Sequence, residues 1–140
     1  MKQEDKDLLI KDLIARLNTN LVCSIYRVDD ESVGYRDEIL HGYCKGDIWY
    51  EFYFREDCSI CMGNVSKIKP YLFPLSSMTE EQSKELEEID PEFYSLICGN
   101  GEIYVSMDLR GYDWLIENKF DYRGLIPKGL ALDATGKNIY

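Results

Sequence analysis

Two strand-like segments, 38–43 and the aromatic-rich 48–54, flank Cys44-Lys45-Gly46-Asp47, and this arrangement most constrains what the chain can become. Gly46 tolerates positive φ, so the pair predicts a β-hairpin. In the second arm Ile48, Tyr50, Phe52 and Phe54 alternate with Trp49, Glu51, Tyr53 and Arg55. Successive strand side chains point to opposite faces, so one face is wholly apolar or aromatic and the other mixes charge with aromatics. The Ile48 face is expected to meet the core.

Elements of both kinds surround this hairpin. Leu9, Ile10, Leu13, Ile14 and Leu17 recur at helical spacing, with Lys11, Asp12 and Arg16 on the opposite side and Asn18-Thr19-Asn20 as a stop. Residues 21–28 are dense in β-branched and aromatic side chains and end at Asp29-Asp30, as a strand would. Residues 65–75 carry Pro70 and Pro74, which suit an edge strand or irregular chain. Thr79 with Gln82 three residues on forms a capping box that opens a helix to about Ile89. Only Leu86 and Ile89 are aliphatic in that helix, which places it at the surface.

Gly99-Asn100-Gly101 predicts a second hairpin between residues 93–98 and 102–107. A helix over about 111–118 would bury Trp114 and Leu115. Residues 120–126 read as a further helical turn with Asp121 as cap and Gly129 as terminator. The sum is an α+β fold: an antiparallel sheet of about five strands, an N-terminal helix and two or three later helices. A single globular domain over residues 1–140 is expected, since 140 residues at 45% hydrophobic suffice to fill one core.

Net charge narrows the partners. With 26 acidic and 16 basic residues the chain carries −10, which repels nucleic-acid phosphates, and no basic patch is visible, so no nucleic-acid partner is expected. Acid concentrates in residues 79–90 and 29–38, which read as solvated surfaces or as an electronegative face that steers a basic partner. The mixed-charge start Met1-Lys2-Gln3-Glu4-Asp5 is unlike a signal peptide, and no apolar run approaches the roughly 20 residues that span a bilayer. Five cysteines, an odd number, then argue for reduced thiols and a cytoplasmic location.

Few residues announce chemistry. Cys58 and Cys61 have the spacing to share a metal or form a redox disulfide. The further ligands a zinc site needs, Cys23, Cys44, Cys98 or His41, include no second close pair. His41 is the only histidine and has no serine or acid beside it. Adjacent carboxylates such as Asp29-Asp30, Glu80-Glu81 and Glu87-Glu88 are too numerous to mark a catalytic dyad. No cofactor is expected. Eleven tyrosines remain, and tyrosine joins a large ring to a polar tip, a combination suited to gripping a partner. Tyr43, Trp49 and Tyr53 on the second face of the hairpin are interface candidates. So are Tyr122 and Arg123, together with Asp121.

Residues 68–82, Ile-Lys-Pro-Tyr-Leu-Phe-Pro-Leu-Ser-Ser-Met-Thr-Glu-Glu-Gln, and residues 114–132, with Trp114-Leu115, Phe120-Asp-Tyr-Arg-Gly-Leu-Ile126 and Lys128-Gly-Leu-Ala-Leu132, carry a resemblance. By these two motifs, about a third of the chain, it resembles small uncharacterised proteins encoded by phages and mobile elements of gut bacteria. Pro127 departs from that pattern. The resemblance implies lineage and no activity. The expected function is a non-enzymatic accessory role of a phage or mobile element, exerted by binding another protein such as a host factor. The alternatives are a small zinc or nucleic-acid-associated module built on Cys58 and Cys61, and a hydrolase whose acidic pair assembles only in the fold.

Overall fold

A computed structural model describes residues 1–28, 33–91 and 110–140. Helix α1 (Gln3–Ala15) is followed by β1 (Val22–Val28), β2 (Val33–Lys45), β3 (Tyr50–Phe54), β4 (Ile60–Met62), a 3-10 turn (Val65–Lys67) and β5 (Ile68–Leu72). A second 3-10 turn (Leu75–Ser77), helices α2 (Glu80–Ile89) and α3 (Arg110–Glu117), and the short β6 (Leu132–Asp133) complete the order. The strands form one sheet in the order β4-β3-β2-β1-β5-β6, antiparallel except for the parallel β5–β6 pair. The fold is α+β, as the patterning predicts. The hairpin predicted around Gly99 lies outside the described residues.

Helix α1 buries Leu9, Ile10 and Leu13 against Leu21, Cys23 and Ile25. It stops where Asn18 (φ 67°) and Asn20 (φ 55°) take left-handed conformations that asparagine tolerates better than most residues. The expectation that Asp12 and Arg16 lie on its solvated side is wrong: both are 0% exposed. Each is the other's partner, with Arg16 Nε donating to Asp12 Oδ2 at 2.8 Å.

The central ladder is longer than expected. Strand β2 begins at Val33, inside what reads as an acidic run, and pairs Val33 through Ile39 with β1. A register shift between Leu40 and Gly42 leaves His41 as the extra residue of a β-bulge. Beyond it, Tyr43 faces Phe52 and Lys45 faces Tyr50 in the predicted hairpin. Phe52 and Phe54 are fully buried, each contributing about 2–3 kcal/mol by removal of its ring from water. Ile48 is the exception to its face. The Gly46 N–H donates to the Trp49 carbonyl, so the chain is still turning at Ile48, which is 95% exposed.

Strand β4 was not evident from the sequence, being three residues long, with Ile60 and Met62 buried and Cys61 outward. Strand β5 is interior, not the edge strand its prolines suggest. Pro70 faces Cys23 of β1, while β6 reaches only Tyr71 and Leu72, so Pro70 has a ladder neighbour on one side alone.

The capping box forms as predicted, with Gln82 N–H donating to Thr79 Oγ1 and Thr79 N–H to Gln82 Oε1. Leu86 of α2 meets Trp114 and Leu115 of α3 and Phe120 in a second cluster, where the Trp114 and Phe120 rings stack at 5.6 Å. Residues 120–126 turn instead of forming a helix. Both Asp121 carboxylate oxygens accept backbone N–H bonds, from Leu125 and Ile126, each at 2.8 Å. A side chain that satisfies two successive donors holds a turn, and Gly124 (φ 69°) supplies the left-handed residue it needs.

Candidate functional site

Alternation along β1 and β2 sorts their side chains between two faces. Cys23 and Ile25 point into the core, so Val22, Ser24, Tyr26 and Val28 point away from it, as do their partners Ile39, Asp37, Tyr35 and Val33. Val28, Val33 and Tyr35 are each 65% exposed and Ile39 is 40% exposed. The Tyr26 and Tyr35 rings meet edge to face at 5.1 Å, with the Lys67 ammonium 5.2 Å from the Tyr26 ring centroid. Toward β5 the strip becomes polar. Burial, then the adjacent Asp37 carboxylate that its hydroxyl contacts, push the Tyr71 phenol above its usual range.

The core side of the same hairpin is charged along β2. Glu38, opposite Cys23, receives Arg55 Nε at 2.9 Å and Nη2 at 2.5 Å, and Arg36 and Arg27 add to the positive field around it. The Arg55 hydrogen bond, first among these causes, lowers the Glu38 carboxyl below its ordinary range. The core side of this hairpin thus carries Arg36 and Glu38 opposite Ile25 and Cys23, while the outer face carries the apolar groups together with Asp37.

The candidates Tyr43, Trp49 and Tyr53 do not share a face. The bulge at His41 puts Tyr43 opposite Phe52, on the core side, where it stacks at 6.4 Å on Tyr50 and stays 41% exposed at the rim. Trp49 lies in the turn before β3, its ring laid on Gly46. A Cβ built on that glycine would come within 2.3 Å of the indole, so the seat requires glycine. Tyr53 points outward opposite Gly42 and Cys61. Its hydroxyl donates to Glu51 at 2.9 Å, which pushes the phenol up to about 12.

Cys58 and Cys61 part company. Cys58 sits in a turn at φ 53°, whereas Cys61 is in β4 beside Glu51 and Tyr53, with its thiol raised first by burial and then by the Glu51 carboxylate. Raised thiols are poor nucleophiles and poor metal ligands. Cys23 is buried and pushed up further, by desolvation and then by Asp12. Among the described residues no group of three or more His, Cys, Asp and Glu side chains is placed to hold a metal ion.

Asp121, Tyr122 and Arg123 separate into two roles. Asp121 holds its turn, while Tyr122 and Arg123 join the buried pair of α1. Arg16 spends its donors on both oxygens of Asp12, on the Phe120 carbonyl at 2.7 Å and on the Ile116 carbonyl at 3.4 Å. Arg123 Nε approaches Asp12 Oδ1 at 3.3 Å without hydrogen-bond alignment. The Tyr122 ring is contacted by both guanidinium groups, Arg16 at 5.5 Å and Arg123 at 4.8 Å from its centroid. Two cations therefore share one carboxylate. The sequence held one hint of this, the i, i+4 spacing of Asp12 and Arg16 on a helix otherwise flanked by leucines.

No protein-family model, curated protein or solved structure is detectably similar to the chain. Among the described residues no helix is long and apolar enough to cross a membrane.

Proposed function

We propose that the protein acts by binding another protein through the outer face of the β1–β2 hairpin, without catalysing a reaction. One observation carries the reading: Tyr26, Val28, Val33 and Tyr35 form a block of cross-strand neighbours whose apolar groups are turned to solvent, with Asp37 between them and the exposed Ile39. Contiguous exposed apolar surface of this kind marks interaction sites, and tyrosine is favoured at their centres. The net charge of −10 disfavours nucleic acid as the partner. An accessory role for a phage or mobile element rests on the resemblance of residues 68–82 and 114–132 alone.

The test is affinity capture from bacterial lysate with the wild type, Tyr35→Ser and Val33→Asp, combined with sedimentation of each purified protein. The proposal expects a partner retained by the wild type and lost by both variants at unchanged melting temperature. Identical captured proteins for all three would refute it, and so would wild-type self-association that the variants abolish, because the partner would then be a second copy.

A further inference from the structure

We propose that the depression bounded by Tyr112, Ile116, Tyr122 and Arg123 binds an oxyanion carried on a flat aromatic body. The inference concerns a surface away from the hairpin and does not rest on the function proposed for it. Its ground is a charge count. Asp12 is fully buried and its two oxygens are already engaged by Arg16 at 2.8 and 3.2 Å, so the pair is neutral in itself. Arg123 adds a second guanidinium against the same carboxylate, and its Nε, buried as an atom, makes no hydrogen bond.

The Arg123 side chain, 26% exposed, meets solvent at a depression of about 570 Å³. Tyr112 and Tyr122, edge to face at 5.7 Å, form one wall, and Ile116 is part of the lining. A guanidinium is a planar fork suited to carboxylate or phosphate, and here its central carbon stands 4.8 Å from the centroid of the Tyr122 ring. The aromatic wall would accept a flat group attached to that anion. Asp113 lines the same depression and opposes any anion, so it sets a limit on affinity that a substitution can lift.

Isothermal titration calorimetry at low ionic strength with phenyl phosphate, phenylacetate, inorganic phosphate and benzyl alcohol tests the assignment. Saturable binding of phenyl phosphate or phenylacetate is expected, and whichever binds identifies the oxyanion. Benzyl alcohol should not bind. Arg123→Gln should weaken binding about tenfold or more, since a charge-assisted hydrogen bond is lost. Asp113→Asn should tighten it about threefold, and Tyr112→Ala should weaken the aromatic ligands but not inorganic phosphate. No saturable binding of either aromatic anion overturns the proposal, as does equal binding by a folded Arg123→Gln. Should Arg123→Gln not fold, unchanged affinity in both Asp113→Asn and Tyr112→Ala overturns it.

Discussion

Arg16→Met isolates the contribution of a charge that helical periodicity assigns to solvent. Methionine keeps an unbranched apolar stem, so most of the packing of the arginine methylenes survives and the loss is confined to the guanidinium. Three consequences follow from the contacts. Asp12 remains fully buried with only the misaligned Arg123 Nε, 3.3 Å away, to balance it. Phe120 loses the 2.7 Å donor to its carbonyl, and Ile116 loses its weaker one at 3.4 Å. Tyr122 loses one of its two cations.

Breaking a buried ion pair from one side costs about 3–5 kcal/mol because the remaining charge keeps its desolvation penalty. The orphaned carbonyl adds about 1–2 kcal/mol, and closer approach of Arg123 to Asp12 returns a similar amount. The net is about 3–5 kcal/mol, about a fifth or more of the roughly 5–15 kcal/mol by which a domain is stable. In urea, with a slope of about 2 kcal/mol per molar, the midpoint should fall by about 2 M. Far-UV circular dichroism and tryptophan fluorescence give that midpoint, with exposed Lys11→Met as a control expected to stay within about 0.5 kcal/mol. A double-mutant cycle with Asp12→Asn should return a coupling of about 2 kcal/mol or more. Loss of less than about 1 kcal/mol in Arg16→Met, or additivity in the cycle, would refute the account.

The Tyr140 hydroxyl donates to the Tyr71 carbonyl at 2.8 Å and accepts from Val22 N–H at 3.2 Å, bridging β5 and β1. Tyr140→Phe should therefore cost about 1–2 kcal/mol in the same urea titration, and no change would show that water replaces the hydroxyl at both groups. Glu38→Gln tests the Arg55 pair through pH. The folded Glu38 carboxyl is lowered by its Arg55 hydrogen bond, so its contribution is present above the unfolded value of roughly 4.3 and is lost as pH falls through the folded value. The variant should melt below the wild type at neutral pH, and the difference should begin to shrink below the unfolded value and vanish only below the lowered folded one. A difference that persists undiminished at low pH would exclude the ion pair as its source.

What was legible in the sequence was whatever depends on neighbours a few residues apart. The Thr79–Gln82 capping box, the Phe52 and Phe54 alternation, the buried Trp114 and Leu115, and the Asp121 cap all express local geometry, and the structure contains each. Asp12 and Arg16 were misplaced because the groups that complete their coordination, the Phe120 and Ile116 carbonyls, lie about a hundred residues further along the chain. Ile48 was misplaced because alternation was extended one residue pair beyond the point where the turn ends. Tyr43 parts from Tyr53 because one bulged residue, His41, reverses the facing of everything after it in β2, and Trp49 parts from both because it lies in the turn before β3.

The hairpin tip is the more instructive case, since the strand there lies in a segment whose charge reads as an acidic surface run. Val33, Tyr35, Asp37 and Ile39 alternate with Gly34, Arg36 and Glu38, and such a strand ordinarily turns its apolar set inward. Here the register with Cys23 and Ile25 decides otherwise, because those two residues are committed to the core and Glu38 and Arg36 stand directly opposite them. Charge can occupy the core side only because Arg55 reaches Glu38 from β3's end. The apolar set is left outside, where the Tyr26 and Tyr35 rings cover part of each other while Val28 and Val33 stay 65% exposed.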